Sequence, residues 1–345
     1  MRGFRCSTVS VGVHTGAIDR RTALAATVCG LSLGLQGASA PSQTQQTPTG
    51  ASEAAGGQVS SDRVPFILAL NTGSIMGYKL DVPAQVDLAA EAGYGGIEFW
   101  LRDIERFVQS GGRLEDVRKR LEDANLVVVG GINFNAWAAE DDKQRQSALE
   151  TFRRDMEWIA ALGGKAIAAA PAGIFQPPPV DLGRVAERYR VLLELGRQFG
   201  VVPQLEIWGA SANLRRVSEA LFVAAEAGHP DAQILLDVFH MYKGGSSPEA
   251  LRLIHGPCMT NFHLNDYPAQ PERETIRDSH RVFPGDGVAP LAKIITSLWE
   301  IGFRGALSLE LFNQEYWKKP PLEMAREGLE KMKKVVTEAL ATRQA

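Results

Sequence analysis

The chain has 345 residues, of which 45% are hydrophobic and 22% charged, and these proportions are typical of a soluble globular protein. The formal net charge of −3 at pH 7 gives no electrostatic reason to expect nucleic acid or an anionic membrane as a partner. The composition therefore argues against a nucleic-acid-binding function.

The first 40 residues have the parts of an export signal. Arg20 and Arg21 precede a short apolar stretch, TALAATVCGLSLGL, and then the small-residue site Ala38-Ser39-Ala40. The stretch is shorter than the roughly 20 residues of a membrane span, and the paired arginines resemble a twin-arginine signal. We therefore predict a signal peptide over residues 1–40, a periplasmic location and no membrane span in the mature chain. An ordinary secretory signal and an uncleaved tether are the alternatives.

Residues 41–62 are small and polar, which predicts a flexible linker, whereas residues 63–345 alternate short apolar runs with amphipathic stretches. Alternating strands and helices imply a parallel sheet, and eight such units in one domain indicate a (β/α)8 TIM barrel. A doubly wound sheet is the alternative, but no glycine-rich nucleotide turn follows the first run. The predicted strands are residues 66–70, 95–100, 126–134, 165–170, 201–207, 232–238, 259–265 and 305–311. The predicted helices lie near residues 83–92, 113–124, 143–162, 181–199, 213–228, 247–255, 288–301 and 320–341.

Polar residues occupy one face of the predicted strands near their carboxyl ends. Side chains along a strand point alternately to opposite faces, and the apolar faces must pack on the helices, so the polar faces point into the barrel. Barrel enzymes place their active sites at this end. The charged residues of strands 5 to 8 in this position are Glu206, Asp237, His263 and Glu310. The same parity adds four candidate substrate-binding residues: Asn71, Glu98, Asn133 and Trp208.

Three carboxylates and one imidazole cannot converge in a partly buried cavity without compensation, because like charges repel and desolvation is costly. One divalent cation supplies that compensation, and oxygen-rich coordination with one nitrogen suits Mn²⁺, Mg²⁺, Co²⁺ or Zn²⁺. Each residue alone also has a structural interpretation, such as a helix cap for Asp237 or an ion pair for Glu206. Their coincidence on four consecutive strands favours a metal site, with Mn²⁺ as the predicted ion and Asp237 as a ligand rather than a cap.

Four motifs, LEIW, LLDVFH, NFHLND and LSLELFN, with PGDG between the last two, resemble the xylose-isomerase-like TIM-barrel family of sugar (phosphate) isomerases and epimerases. The resemblance covers essentially all of residues 64–340. It implies that His240 binds a substrate oxygen, and Asp266 matches a common H-x-x-D pattern. It also implies an acid/base pair, Glu206 and Glu310, whose members double as metal ligands. The implied ligand set is Glu206, Asp237, His263 and Glu310.

The chain departs from the ketose 3-epimerases of this family at two substrate-binding positions, where it has Ala212 and Ala269. The metal ligands are unaffected, but the identity of the substrate is left open. The segment that follows the seventh strand is long for a barrel loop, so it is a source of replacements. Its candidates are Arg273, Arg281 and Asp286, of which Arg281 is the predicted substrate ligand and Arg273 is expected to be a solvated surface charge.

The chemistry that these residues fit is proton abstraction next to a carbonyl, through an enediolate. We therefore predict a metal-dependent sugar isomerase or epimerase acting on an unphosphorylated ketose, inosose or keto-sugar. Phosphorylated sugars are mostly intracellular, and no loop shows clustered Lys or Arg at a helix start. A lyase or dehydratase that eliminates water or an aglycone through the same enediolate is the alternative.

Two readings from other classes complete the set. A non-catalytic sugar-binding protein conflicts with the retention of both Glu206 and Glu310. An abasic-site endonuclease needs more histidines at the strand ends and a basic groove, neither of which the sequence predicts. The predicted partner is therefore a small-molecule sugar, and no nucleic acid is expected. The sequence is compatible with a homo-oligomer but does not decide the oligomeric state.

Overall fold

The computed structural model describes residues 64–341. The predicted signal peptide and linker, residues 1–40 and 41–62, lie outside the described residues, so both stay predictions. Within residues 64–341, no helix has the length and apolar character needed to cross a membrane.

Eight strands lie in residues 64–341, and all eight coincide with predicted ones. They are β1 Ile67–Asn71, β2 Gly96–Trp100, β3 Val127–Ile132, β4 Ala166–Ala169, β5 Val202–Glu206, β6 Gln233–Asp237, β7 Asn261–Leu264 and β8 Ala306–Leu309. They form one parallel sheet in the order β3-β2-β1-β8-β7-β6-β5-β4. The pairing of β1 with β8 curls the sheet round on itself, and β3 contacts β4 although no ladder joins those two strands among the described residues. The result is a nearly closed barrel, as predicted.

The helices of the described residues surround this barrel. They are α1 Val82–Ala92, α2 Leu101–Gln109, α3 Leu114–Asp123, α4 Asp142–Ala161, α5 Leu182–Phe199, α6 Val217–Glu226, α7 Val238–Gly244, α8 Leu291–Glu300 and α9 Pro321–Ala341. The predicted helix over residues 247–255 is a 3-10 helix, Pro248–Leu253. The sequence analysis missed α2 and α7, because each begins at the residue after a strand and no loop separates the two patterns.

Local sequence signals explain where the helices begin and end. Asp181 caps α5 by accepting a hydrogen bond from the Arg184 amide at 3.0 Å, which satisfies one of the free N–H groups of the first turn. The same helix ends at Gly200, whose φ of 65° is the left-handed conformation that glycine adopts without steric cost.

The apolar core lies between the strands and the helices. Leu205, Phe262 and Leu307 on the outer faces of β5, β7 and β8 are fully buried in it. Burial of such a side chain contributes roughly 1.5–3 kcal/mol, and this fixes which strand face points outward. The intervening residues are thereby directed into the barrel, where Gln204, Asn261 and Ser308 are also buried.

Candidate metal centre and substrate cavity

The four predicted ligands converge around one nitrogen. His263 Nδ1 lies 3.3 Å from an oxygen of Glu310 and 3.8 Å from an oxygen of both Glu206 and Asp237. Strand register explains the meeting, because Asp237 at the end of β6 pairs directly with His263 on β7. Strand alternation then directs Glu206 and Glu310 into the same space from β5 and β8.

The cluster has open coordination valences. His263 Nδ1 and Glu206 Oε2 are buried and have no hydrogen-bond partner among the described residues, although buried polar groups are nearly always bonded. Asp237, His263 and Glu310 each offer a ligand atom, and these atoms lie within 4.8 Å of one another. Carboxylate oxygens and an imidazole nitrogen are donors that divalent cations accept, so these residues fit a divalent metal.

The electrostatics of the cluster are those of charges that need a cation. Burial raises the pKa of Glu206 to about 8, assisted by Glu310 and opposed by His263. Burial would also raise the pKa of Glu310, but the adjacent His263 and Arg281 outweigh it and lower that pKa to about 2. Burial likewise disfavours the His263 cation, yet Glu310 and Glu98 hold its pKa well above the ordinary value. The buried carboxylates therefore depend on nearby positive charge, which His263 and Arg281 supply here and which a divalent cation would also supply.

Asp237 is a helix cap and also faces the cluster of predicted ligands. Its Oδ1 caps α7 by accepting a hydrogen bond from the His240 amide at 2.7 Å. Its Oδ2 faces the cluster and accepts hydrogen bonds from Asn265 Nδ2 at 2.8 Å and from Arg281 Nη1 at 2.9 Å. The expectation that Asp237 is a ligand rather than a cap was therefore incomplete, since the cap itself orients the second oxygen.

Arg281 reaches the cluster from the long segment after β7. Its Nη1 donates to Glu310 Oε2 at 2.8 Å as well as to Asp237, and its guanidinium lies between the rings of Phe239 and Phe312 at 4.8 and 5.0 Å. Its Nη2 bonds Asp278 and lies 3.1 Å from His240 Nε2. The prediction that this segment supplies a cation to the site fits the geometry, but sequence reasoning missed Asp278.

Asp266 explains how that segment is held, and its predicted role needs correction. Its carboxylate accepts hydrogen bonds from the amides of Tyr267, Gly285, Gly287 and Ala289 at 2.8–3.1 Å. Its main chain pairs with Val282 in an isolated antiparallel bridge. Asp266 does not line the cavity, and four amide donors saturate its oxygens, so it is a clamp for the loop rather than a substrate ligand.

Glu98 and Asn71 lie beneath the cluster instead of facing the cavity as predicted. Glu98 Oε2 lies 3.1 Å from His263 Nε2, although the N–H is not aligned well enough for a hydrogen bond. Glu98 also accepts hydrogen bonds from Asn71, Asn261 and Ser308, all of them buried. A carboxylate this close to Nε2 favours the ring orientation in which His263 Nδ1 faces the cluster, so we interpret Glu98 as an orienting residue.

Asn133 is also outside the cavity. It donates to the buried carboxylate of Asp155 on α4 and accepts hydrogen bonds from the amide and side chain of Asn135 at 2.7 and 2.8 Å. Its polar atoms are used by the scaffold, which corrects its predicted role as a substrate ligand.

A cavity of about 330 Å³ opens above the cluster. Its walls include Trp208 and Trp100, both of which strand parity directs inward, together with three aromatic residues that had no assigned role, Phe134, Phe175 and Phe312. Its polar lining includes Glu206, Glu310, His240 and Arg281. Apolar walls with a few convergent polar groups are typical of small-molecule sites.

A nearly closed parallel barrel with a cluster of potential metal ligands at its carboxyl end defines a class of barrel proteins whose functional site lies at that end. Comparison with known families narrows this class, because the sequence model of the xylose isomerase-like TIM barrel family matches residues 86–335. The chain belongs to that family.

Two curated relatives and one solved structure illustrate its neighbourhood. The inosose isomerase of Bacillus licheniformis is 29% identical over 201 residues, which is 57% of this chain and 72% of the relative. The 3-dehydroshikimate dehydratase of Pseudomonas putida is 23% identical over 249 residues, 72% of this chain but 39% of the relative. A crystal structure of the IOLI protein with a bound zinc atom has a TM-score of 0.73 at 22% identity, over 79% of this chain and 98% of that one. The two curated relatives are thus an isomerase and a dehydratase.

Proposed function

We propose that this protein is a divalent-metal-dependent isomerase or epimerase that moves a proton next to the carbonyl of a polyhydroxylated substrate, an unphosphorylated ketose, inosose or keto-sugar. The observation that carries the proposal is the cluster at the ends of β5 to β8, whose buried donor atoms lack partners and face an aromatic cavity. The isomerase among the relatives supports the same chemistry.

The roles follow from what each side chain faces. Glu206, Asp237, His263 and Glu310 would hold the metal, and Mn²⁺ suits three carboxylates with one imidazole. When bound, a divalent cation supplies Lewis-acid stabilisation of the negative charge that develops on the substrate oxygens. Glu98 keeps His263 Nδ1 turned toward that position from behind.

Proton transfer falls to the two glutamates that line the cavity. One of them takes the carbon-bound proton next to the carbonyl, and the other, three strands away in the barrel, returns one from its own side. His240 Nδ1 is buried without a partner among the described residues and belongs to a residue of the cavity lining, so it is free to bond a substrate hydroxyl. The aromatic walls exclude water and give a sugar ring apolar surfaces to pack on.

A dehydratase is the second candidate, because one relative is a dehydratase. The two reactions share the first proton abstraction and differ only in whether a group β to it leaves. The same residues would act in both reactions, so the substrate decides which reaction occurs.

The test is mass spectrometry of ketoses, inososes and keto-glycosides incubated in D₂O with enzyme loaded with Mn²⁺, Mg²⁺, Co²⁺ or Zn²⁺. Carbon-bound deuterium without other mass change is expected for an isomerase or epimerase, and loss of water or of an aglycone identifies the lyase. If no compound exchanges or loses a group with any metal, the barrel is a binding protein and the proposal is wrong.

We further propose that the protein is exported, on the basis of Arg20-Arg21, the apolar stretch and the small-residue site that follow one another in the sequence. Cell fractionation is the test. The wild-type chain is expected in the periplasm with residues 1–40 removed, and replacement of Arg20 and Arg21 by lysine is expected to retain it in the cytoplasm. Periplasmic accumulation of that double variant would indicate an ordinary secretory signal.

A further inference from the structure

A second cavity, of about 550 Å³, lies beside the site and is basic. Its lining contains four cationic side chains, Arg215, Arg216, Lys243 and Arg273, and one carboxylate, Glu274. Arg215 and Arg216 directly precede α6, so the expectation that no helix start carries clustered basic residues was wrong. Arg273 is a solvated surface charge, as expected, with 49% of its side chain exposed, and it lines the same cavity. We call these four residues the basic cluster.

Glycines bring two of the three segments of the basic cluster together. A Cβ at Gly244 would lie 1.9 Å from the main-chain oxygen of Arg215, and a Cβ at Gly209 would lie 2.6 Å from the main-chain oxygen of His240. Only residues without a side chain allow the loop after β5 to pack this closely on α7. The close packing places Arg215 and Arg216 next to Lys243, which is the penultimate residue of α7.

The positive charge of the basic cluster is poorly neutralised. Among the described residues, no ion pair involves Arg215, Arg216 or Lys243, and the buried Nε of Arg215 has no hydrogen-bond partner. Lys243 Nζ donates only to the main-chain oxygens of Arg273 and Glu274, both at 2.9 Å. Arg273 and Glu274 approach to 3.4 Å, but both side chains are about half exposed or more, and such pairs contribute little. The cavity therefore has a net positive lining that an oxyanion would neutralise.

The basic cavity continues into the substrate cavity. A third cavity of about 490 Å³ lies between them and shares Lys243 and Glu274 with the basic one. It shares His240 and Asp278 with the substrate cavity, and Ala210 lines all three. His240 and Lys243 are three residues apart on α7, so they lie on one face with a rise of about 4.5 Å between them. One groove therefore runs from the metal ligands to the basic cluster.

We propose that the basic cluster binds an oxyanion on the substrate, the carboxylate of a keto-sugar acid, at the end remote from the reacting carbonyl. This deepens the proposed function and rests on it. Guanidinium groups bond such oxyanions through two parallel N–H donors, which gives direction as well as attraction. The first amide of α6, Val217 N–H, already donates to Ser246 Oγ at 3.0 Å, so side chains rather than the helix end hold the anion.

Binding tests the site independently of turnover. Isothermal titration of the Mn²⁺-loaded protein with inorganic phosphate and with gluconate measures the two oxyanions without requiring a reaction. We expect the double variant Arg216→Gln/Arg273→Gln to weaken the binding of the preferred anion by roughly ten- to a hundredfold, since each arginine makes a charge-assisted bond. Arg252→Gln is the matched control, because Arg252 is exposed and lines none of the three cavities. Equal affinities in wild type and double variant would overturn the site.

Turnover then tests whether the anion belongs to the substrate. Deuterium incorporation is compared for keto-sugar acids, keto-sugar phosphates and their neutral counterparts. The ratio of kcat/KM for the acidic substrate to that for its neutral counterpart is expected to fall about tenfold or more in the double variant and to stay constant in the control. We expect the larger ratio in the wild type for the acids, and a larger ratio for the phosphates would contradict both the carboxylate and the unphosphorylated substrate.

The outcomes separate the two proposals. If anions bind but no compound exchanges deuterium, the proposed reaction is wrong while the anion site remains. If neutral sugars exchange as well as their acids and the ratio does not respond to the double variant, the reaction stands and the inference of an anionic substrate is wrong.

Discussion

The two halves of the barrel mouth carry similar side chains in opposite states. At the ends of β5 to β8, carboxylates and an imidazole point at one another with buried atoms that lack hydrogen-bond partners. At the ends of β1 to β3, the polar residues bond each other. Asn71, for example, donates to Glu98 at 2.9 Å and accepts from Trp100 Nε1 at 2.9 Å.

The difference lies in saturation rather than in residue type. Glu98 and Glu206 are both buried glutamates near strand ends, yet Glu98 accepts three side-chain hydrogen bonds from neutral groups, while Glu206 Oε2 has no hydrogen-bond partner among the described residues. Buried polar groups without partners cost free energy, so a protein keeps them where a ligand completes them. Open valence therefore marks the functional half, and saturation marks its support.

Removal of a carboxylate that lines the substrate cavity is expected to have the largest effect. Glu310→Gln keeps the shape of the side chain but removes the negative charge that takes or returns the proton, so kcat for deuterium exchange should fall by about a thousandfold or more. Exposed Glu315→Gln, five residues further on, is the control and should exchange at the wild-type rate. A Glu310→Gln variant that exchanges at the wild-type rate would contradict the acid/base assignment.

Removal of a saturated carboxylate is expected to affect stability more than chemistry. In Asp266→Asn the new amide group would face two backbone N–H donors whichever way it turned, because each carboxylate oxygen accepts two of them. The free energy of unfolding should fall by about 3 kcal/mol, as measured by denaturant titration. Exposed Asp87→Asn is the control and should change it by less than about 0.5 kcal/mol. An unchanged midpoint for Asp266→Asn would show that the clamp is dispensable.

An orienting carboxylate should have an intermediate effect. Glu98→Gln leaves the four ligands in place but removes the charge behind His263 Nε2, so Mn²⁺ affinity measured by titration should fall by roughly ten- to a hundredfold. Asp155→Asn, at a buried carboxylate that does not contact the cluster, should leave the affinity unchanged. Unaltered Mn²⁺ affinity in Glu98→Gln would show that Glu98 does not support the metal site.

The sequence was sufficient for the barrel and for the convergence at β5 to β8, because strand parity is a local property and parallel register carries it into space. All eight strands were confirmed, and Glu206, Asp237, His263 and Glu310 meet as expected. Parity could not show which of these inward residues find partners. Asn71, Glu98 and Asn133 have the right parity, but neighbours from distant strands and helices use their polar atoms.

The loops were harder to predict, since they have no period. Arg281 was a candidate from the length of its segment alone, and nothing local distinguishes it from Arg277, which does not line the substrate cavity. The basic cluster escaped notice for the same reason, because Arg215, Lys243 and Arg273 come from three different segments. Glycine-mediated packing joins the first two segments, and Lys243 Nζ holds the third by hydrogen bonds to its main-chain oxygens.

The smallest expected effect concerns Asp155, a hydrogen-bonded carboxylate on α4 that contacts Asn133. Burial raises the pKa of Asp155 from the ordinary 3.8 to about 6, against the opposing pull of Arg154. The folded state therefore binds this proton more tightly than the unfolded state, so the stabilisation is complete below pH 4 and is lost as the pH rises through about 6. The asparagine side chain in Asp155→Asn cannot lose such a proton. The free energy of unfolding of Asp155→Asn should therefore rise relative to that of wild type by about 1 kcal/mol as the pH increases from 5 to 7.

Denaturant titrations of both proteins at several pH values measure this difference directly. Asp87→Asn at an exposed ion pair serves as the control, and its difference from wild type should stay flat over the same range. A flat difference for Asp155→Asn as well would mean that Arg154 and Asn133 stabilise the carboxylate as fully as water does, so burial on this half would carry no electrostatic cost. A difference that rises toward pH 7 would show that even a carboxylate with several hydrogen bonds retains part of its desolvation cost. Saturation would then be a matter of degree, with Asp155 between the fully bonded Asp266 and the open Glu206.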